Sequence, residues 1–152
     1  MKMPSHQTGS TLIEVLIAMV VLAIGLIGMA GLQATSVQSN QGAYYRSQAS
    51  ILANDMADRI RANRANALSG AYTMSSFPDS STSNSVTGSR AAIDRGEWLN
   101  QLASTLPDGT GMVALNGNVF TISIRWNDNR ARIKASNDTS STTETFQYRT
   151  RL

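Results

Sequence analysis

Glu14 is the side chain of this sequence whose type and setting promise chemistry. It is a carboxylate followed at once by residues 15–32, an uninterrupted apolar run. As a helix, about 18 residues span roughly 27 Å, just enough to cross a bilayer. A charge within such a run costs about 2.5–3.5 kcal/mol in lipid unless something compensates it, which makes it a functional residue by default. Ser10 offers the compensation. Cleavage of the chain after Gly9 makes Ser10 a cationic amino terminus one helical turn from Glu14. The pair can then be satisfied within one chain or between neighbouring chains.

Other chemistry is poorly supplied. The chain has no cysteine, and its only histidine, His6, precedes that cleavage point. A disulfide, a thiolate nucleophile and a Cys-based metal site are therefore excluded. A Ser/His/Asp triad and His-ligated metals are excluded from a chain beginning at Ser10. Asp55 with Asp58, and Asp94 with Glu97, are carboxylate pairs at helical spacing and read as solvated surface. No glycine-rich phosphate loop opens a helix after a strand. The expectation is no enzyme activity and no cofactor. The formal charge of +3, or +2 without Lys2, reflects few acids and is weak support for a polyanionic partner.

The elements that position Glu14 are helical. No proline occurs between Ser10 and Gly70, which predicts one long helix through both the apolar run and a polar continuation. In that continuation Tyr45, Ala49, Leu52, Met56, Ile60 and Asn63 recur every three or four residues and form one face. Arg59, Arg61 and Arg64 crowd the last turns, where cations favour the negative end of the helix dipole, and Gly70 is placed as a C-cap. Gly25, Gly28 and Gly31 fall on roughly one side of the apolar half. They read equally as close helix packing in a membrane and as points of local melting when subunits assemble.

Gly9, with Glu14 five residues on and an apolar helix behind it, resembles the type III signal of type IV pilins and pseudopilins. The resemblance implies that a prepilin peptidase cleaves after Gly9 and methylates the new amine of Ser10, where that family most often has Phe. The apolar segment then stays on the mature protein as its polymerisation helix. The competing reading is a secretory signal peptide cleaved near Gly28-Met29-Ala30. Against it stand a single firm charge in the leader, Lys2, the position of Glu14, and a run longer than a normal h-region of about 7–15 residues.

Residues 43–49 and 52–64 narrow the likeness. They are similar to the corresponding stretch of the type IV pilus modification protein PilV family, which are minor pilins. Asp94, Trp98, Leu99, Leu102, the Leu106-Pro107-Asp108-Gly109 run and residues 124–128 are similar to later segments of that family. The resemblance implies a subunit that helps initiate pilus assembly, in twitching or adhesion. Its partners would be other minor pilins and the major pilin, prepilin peptidase, and the inner-membrane pilus assembly platform. It would be a single-pass protein of the bacterial inner membrane, with its C-terminal domain in the periplasm, and incorporated into the pilus. A minor pseudopilin of a type II secretion system shares the N-terminal signal and is the main alternative. A DNA-binding pilin using Arg125, Arg130, Arg132 and Lys134 beside Trp126 is a further one, and a nucleic acid is not the expected partner.

About 115 residues follow the apolar run, enough for one small core. Residues 71–89, rich in Ser, Thr, Asn and Gly, read as a long loop or partly disordered excursion. Residues 91–106 read as an amphipathic helix with Trp98, Leu102 and Leu106 on one face, stopped by Pro107. Residues 112–115 and 119–126 flank Asn116-Gly117-Asn118, a hairpin signal, and residues 143–149 supply a third strand. Phe120, Ile122, Ile124 and Trp126 should face the long helix, and Val119, Thr121, Ser123 and Arg125 should face solvent. The fold class is therefore α+β and pilin-like, a long N-terminal helix, membrane half plus stalk, packed on a small antiparallel sheet. The expected divisions are a leader at 1–9, a membrane and polymerisation half at 10–32, a periplasmic half of the helix at 33–70 and a globular head at 71–152.

Gly9 must fit where a side chain would obstruct peptide cleavage. Gly9→Val is expected to leave an uncut precursor in the membrane, read by intact-mass spectrometry. A mature N-terminus at Ser10 in that variant would refute the site, and a native N-terminus at Gly31 would establish secretory cleavage.

Overall fold

The computed structural model describes residues 11–129 and 142–152. Residues 1–10, which include Gly9 and Ser10, and residues 130–141, which include Arg130, Arg132 and Lys134, lie outside the described residues. The chain divides into two compact units, Met1–Val37 and Gln38–Leu152. A single helix, α1 (Leu12–Ala62), contributes to both.

In the first unit every described residue is exposed, from Leu12 at 87% to Leu32 at 74%. Nothing among the described residues covers this apolar surface. A Cβ built on Gly25, Gly28 or Gly31 would meet no other atom. Glu14 lies in the first turn, where a carboxylate favours the positive end of the helix dipole.

In the second unit α1 turns one stripe inward. Ala49, Leu52, Ala53, Met56, Ala57 and Ile60 are buried at the three- and four-residue spacing of a helix face. The helix stops at Ala62, eight residues short of Gly70. Asn63 leaves the helical region (φ −117°, ψ 45°), and a short helix α2 (Arg64–Leu68) follows. The side chain of Asn63 accounts for the break: its Nδ2 donates to the Tyr72 hydroxyl at 3.1 Å and its Oδ1 accepts from Asn66 Nδ2 at 2.8 Å. Asparagine readily trades helix geometry for such local bonds. Gly70 then closes α2. Its N–H bonds to the Ala67 carbonyl and that of Ala71 to the Asn66 carbonyl, the paired bonds of a Schellman cap.

Residues 71–89 contain no helix or strand but are tied down along their length. Tyr72 is fully buried. The Met74 N–H bonds to Val113 O, Thr110 Oγ1 donates to Pro78 O, and Asn84 exchanges bonds with Asn100. The polar composition that reads as a disordered excursion supplies these bonds instead. The segment leads into α3 (Arg90–Thr105), where the Ser89 Oγ caps the Ala92 N–H. Leu106 ends the helix in an extended conformation, as a residue before proline must.

The remainder is a three-stranded antiparallel sheet in the order β1 (Thr110–Asn116), β2 (Val119–Asn127), β3 (Thr143–Arg151). Asn116 pairs with Val119, leaving Gly117 and Asn118 as a two-residue turn. Gly117 has φ 59°, and only this first central residue is positive, the requirement of a type II′ hairpin. Phe120, Ile122, Ile124 and Trp126 are buried and belong to one core with the α1 stripe, Trp98, Leu102 and Val113. Phe146 and Tyr148 pack half-buried against it. The opposite face is less open than alternation suggests. Ser123 is buried at 2%, and Arg125 lies 4.4 Å from the centroid of the Phe77 ring.

Trp98 joins helix, helix and sheet. It is fully buried, its Nε1 donates to the Leu52 carbonyl at 2.9 Å, and a Cβ added at Gly111 of β1 would collide with its ring. Trp126 is equally buried, but its Nε1 has no partner among the described residues. Truncating either to Ala is expected to cost about 3–5 kcal/mol. Trp98→Phe should cost about 1 kcal/mol more than Trp126→Phe, because only Trp98 gives up a hydrogen bond. Thermal melts of the full chain in detergent micelles test this ranking; equal melts for the two Phe variants would contradict it.

Candidate assembly site

The residues expected to act in assembly all lie on the first unit's helix. The described portion of that helix offers Glu14 among Ile13, Val15, Leu16 and Ile17, all exposed, and no cation among the described residues pairs with Glu14. Gly25, Gly28 and Gly31 give the same helix a small-residue patch on which nothing among the described residues rests. Thr35 returns its hydroxyl to the Gly31 carbonyl at 3.1 Å and so hides one polar group from its surroundings. This surface is chemically incomplete by itself. It carries one unpaired charge and an apolar area that water tolerates poorly.

The core residues singled out by spacing, Leu52, Met56, Ile60, Trp98, Leu102, Ile122, Ile124 and Trp126, are all buried in the second unit. What holds α1 to α3 there is an ionic network. Asp94 is 1% exposed. Its Oδ2 accepts from the Tyr72 hydroxyl at 2.6 Å, and its Oδ1 from Arg90 at 2.9 Å and Arg59 at 3.4 Å. Arg59 also binds Asp55 at 2.9 Å and Glu97 at 2.6 Å. Asp94 is thus no solvated surface carboxylate. It is held by groups from α1, from the segment after α2 and from α3 itself. A buried carboxylate is tolerated only when its lone pairs are occupied in this way.

The network perturbs its members. Burial first, then the bond to Asp94, raises the Tyr72 hydroxyl above its ordinary value, against a lowering bond from Asn63. Burial works to lower Arg59, but its bonds to Glu97 and Asp55 outweigh this and hold its pKa raised. Arg59 therefore stays charged throughout the stable pH range.

Sequence spacing placed Arg59 in the last turns of the long helix and left Tyr72 and Arg90 unremarked. The signal for Asp94 was present. Ala91, Asp94, Trp98 and Leu102 share one face of α3, so the period that buries Trp98 also buries Asp94. Tyr72 carried no periodic signal, because it lies in an irregular segment.

A tyrosine whose pKa is raised on folding stabilises the fold fully below the unfolded value of about 10, and the contribution is lost as pH rises through the raised folded value. Tyr72→Phe should cost about 1–3 kcal/mol at neutral pH by leaving Asp94 short of a donor. It should also flatten the loss of stability above about pH 10. Melting temperatures of the two chains across pH 7–11 would show this; parallel curves would remove the Tyr72 hydroxyl from the alkaline transition.

Residues 4–30 match the family model of the prokaryotic N-terminal methylation motif, and residues 31–92 match the model described as type IV pilin Tt1218. No curated protein and no solved structure matches the chain. The first match contains Gly9, Ser10 and Glu14, and the second runs from Gly31 through the Asn63 break to Ala92, past Arg59, Tyr72 and Arg90. The motif and the apolar helix fit a membrane-anchored pilin. Over these two adjoining segments, the N-terminal part of its length, the chain is similar to type IV pilins with an N-terminal methylation motif.

Proposed function

We propose that this chain is a minor pilin of the type IV pilus, of the PilV kind, which primes filament assembly with other minor pilins. In this reading prepilin peptidase removes residues 1–9 and methylates Ser10. The helix from residue 10 to about residue 32 remains in the inner membrane until the assembly platform delivers it into the filament, with the C-terminal unit in the periplasm. Glu14 meets the positive amino terminus of an adjacent subunit. The observation that carries the proposal is Glu14, without an ion pair among the described residues, on a helix whose apolar surface none of them covers. An uncompensated carboxylate in hydrocarbon costs several kcal/mol, and a cationic terminus on a neighbour removes that cost only when subunits come together. Gly25, Gly28 and Gly31 serve the same end, since small residues let apolar helices approach closely.

The identification as a PilV-type subunit draws on residues 43–64 and on the Trp98 and Trp126 segments. Several of these residues have structural work in the second unit. Arg59 and Asp55 belong to the Asp94 network, Leu52 accepts from Trp98, and Asn63 makes the break after α1.

Glu14→Ala removes the costly charge, so membrane insertion and cleavage after Gly9 should persist or improve. Incorporation should fail, with loss of surface pili and twitching and of copurifying minor pilins. Normal piliation together with normal copurification would sink the mechanism. Loss of type II secretion with pili intact would transfer the protein to the pseudopilins.

A further inference from the structure

At one end of the sheet, where β1 begins, β2 ends and β3 begins, a cleft is lined by Phe77, Asp79, Asp108, Arg125 and Trp126. We propose that this cleft binds a zwitterionic amino-acid group, with Arg125 taking its carboxylate and Asp79 and Asp108 its ammonium.

Three charged side chains of both signs share the cleft, yet none of them pairs with another. Each is instead held in place by a neighbour. Arg125 lies over the Phe77 ring at 4.4 Å, which fixes the guanidinium plane and leaves its N–H groups without a carboxylate. Asp79 accepts the Ser81 N–H at 2.9 Å and the Ser81 hydroxyl at 2.8 Å through one oxygen, leaving the other open. Those bonds, the backbone one first, hold its pKa down, so the carboxylate is charged at neutral pH. Asp108 accepts from Asn127 Nδ2 at 3.1 Å and sits at φ 51°, a conformation non-glycine residues seldom adopt. Strain of this kind persists only where surrounding structure enforces it, and functional sites are where it gathers.

Opposite charges that are fixed separately in one cleft form a field with a direction. An anion alone satisfies Arg125 and faces two carboxylates; a cation alone does the reverse. A group bearing both charges on adjacent atoms matches the field, and a stacked arginine fork is suited to a carboxylate. Trp126, which also lines the cleft, has an indole N–H that is buried without a partner among the described residues. None of these residues belongs to the membrane helix or to the Asp94 network, so the site is independent of both.

The protein has two tryptophans, and Trp98 is committed to Leu52. Its two indole N–H resonances therefore separate a cleft reporter from a core control, with Trp126→Phe giving the assignment. The full chain in non-ionic micelles is titrated with glycine, with acetate, with methylammonium and with N-acetylglucosamine. Glycine should shift the Trp126 signal saturably and leave Trp98 still, while acetate and methylammonium shift it at least tenfold less at equal concentration. Arg125→Gln and, separately, the exposed Asp79→Asn should each weaken the glycine response about tenfold with the Trp98 signal unchanged. A murein stem tripeptide, which carries the same group at a chain end, tests the source. Tighter binding than glycine assigns a cell-wall peptide, and equal binding assigns a free amino acid. A Trp126 signal unmoved by glycine and the tripeptide, or moved equally by acetate alone or by the neutral sugar, would overturn the proposal.

Discussion

The buried stripe of α1, Ala49, Leu52, Ala53, Met56, Ala57 and Ile60, is the surface on which the rest of the second unit is laid. Three of its six residues are alanines. Small side chains there let the partners bring the bulk, and Trp98, Phe120, Ile122, Ile124 and Trp126 fill the space. The bond from the Trp98 indole to the Leu52 carbonyl also fixes how far α3 lies along α1, because a carbonyl inside a helix offers its second lone pair at one height only. The glycine at position 111 follows from this placement, since the Trp98 ring occupies the room its side chain would need.

A core assembled on one face of a helix has no disulfide here to secure its margins, and electrostatics takes that part. Arg59 lies one residue from the end of the buried stripe and reaches Asp55, Asp94 and Glu97. Arg61 reaches the other way, to Asp58 and to the Thr150 hydroxyl of β3. The two arginines therefore tie the last turns of α1 to α3 on one side and to the sheet on the other. Their partners differ in worth. The Arg61–Asp58 pair is exposed and contributes little, whereas the Asp94 contacts are shielded from water and would be costly to break singly.

Much of this was legible in residue order, and for physical reasons. Helix period and strand alternation are set by backbone geometry, so an unbroken apolar run, the stripe on α1, the Trp98 helix and the Gly117 hairpin could be read without knowing their partners. The Asp94 network could not be read so directly, because its members come from residues 59, 72, 90 and 94, and no local pattern links them. The end of α1 was hidden for a related reason. Asn63 is an unremarkable helix residue until Tyr72, nine positions on, claims its side chain. The segment 71–89 is the long loop its composition suggests, but how it is tied down was not legible, because Ser, Thr and Asn do not reveal which groups will use their hydrogen-bonding capacity, and here Pro78, Asn84 and Ser85 are all in contact with neighbouring elements.

The contrast between the two units states the physical problem this chain presents. In the second unit every large apolar cluster is covered and nearly every buried polar group is paired, with Trp126 Nε1 and Asp128 Oδ1 the exceptions among the described residues. Among the described residues of the first unit none is buried, and Glu14, the one charged side chain there, has no ion pair. A folded unit and an unsatisfied helix in one sequence point to two different solvents, water for one and hydrocarbon or other helices for the other. Hydrocarbon alone would accept the apolar side chains but not Glu14, so it covers the helix without completing it. A surface with neighbouring helices accepts both, provided one of them brings a positive charge to the height of Glu14. In the proposed reading, cleavage after Gly9 leaves a positive amino terminus only a few residues from Glu14 in sequence, so a second subunit shifted slightly along the axis would bring that charge. On that reading the same carboxylate that makes the helix unfavourable alone is what calls for a neighbour.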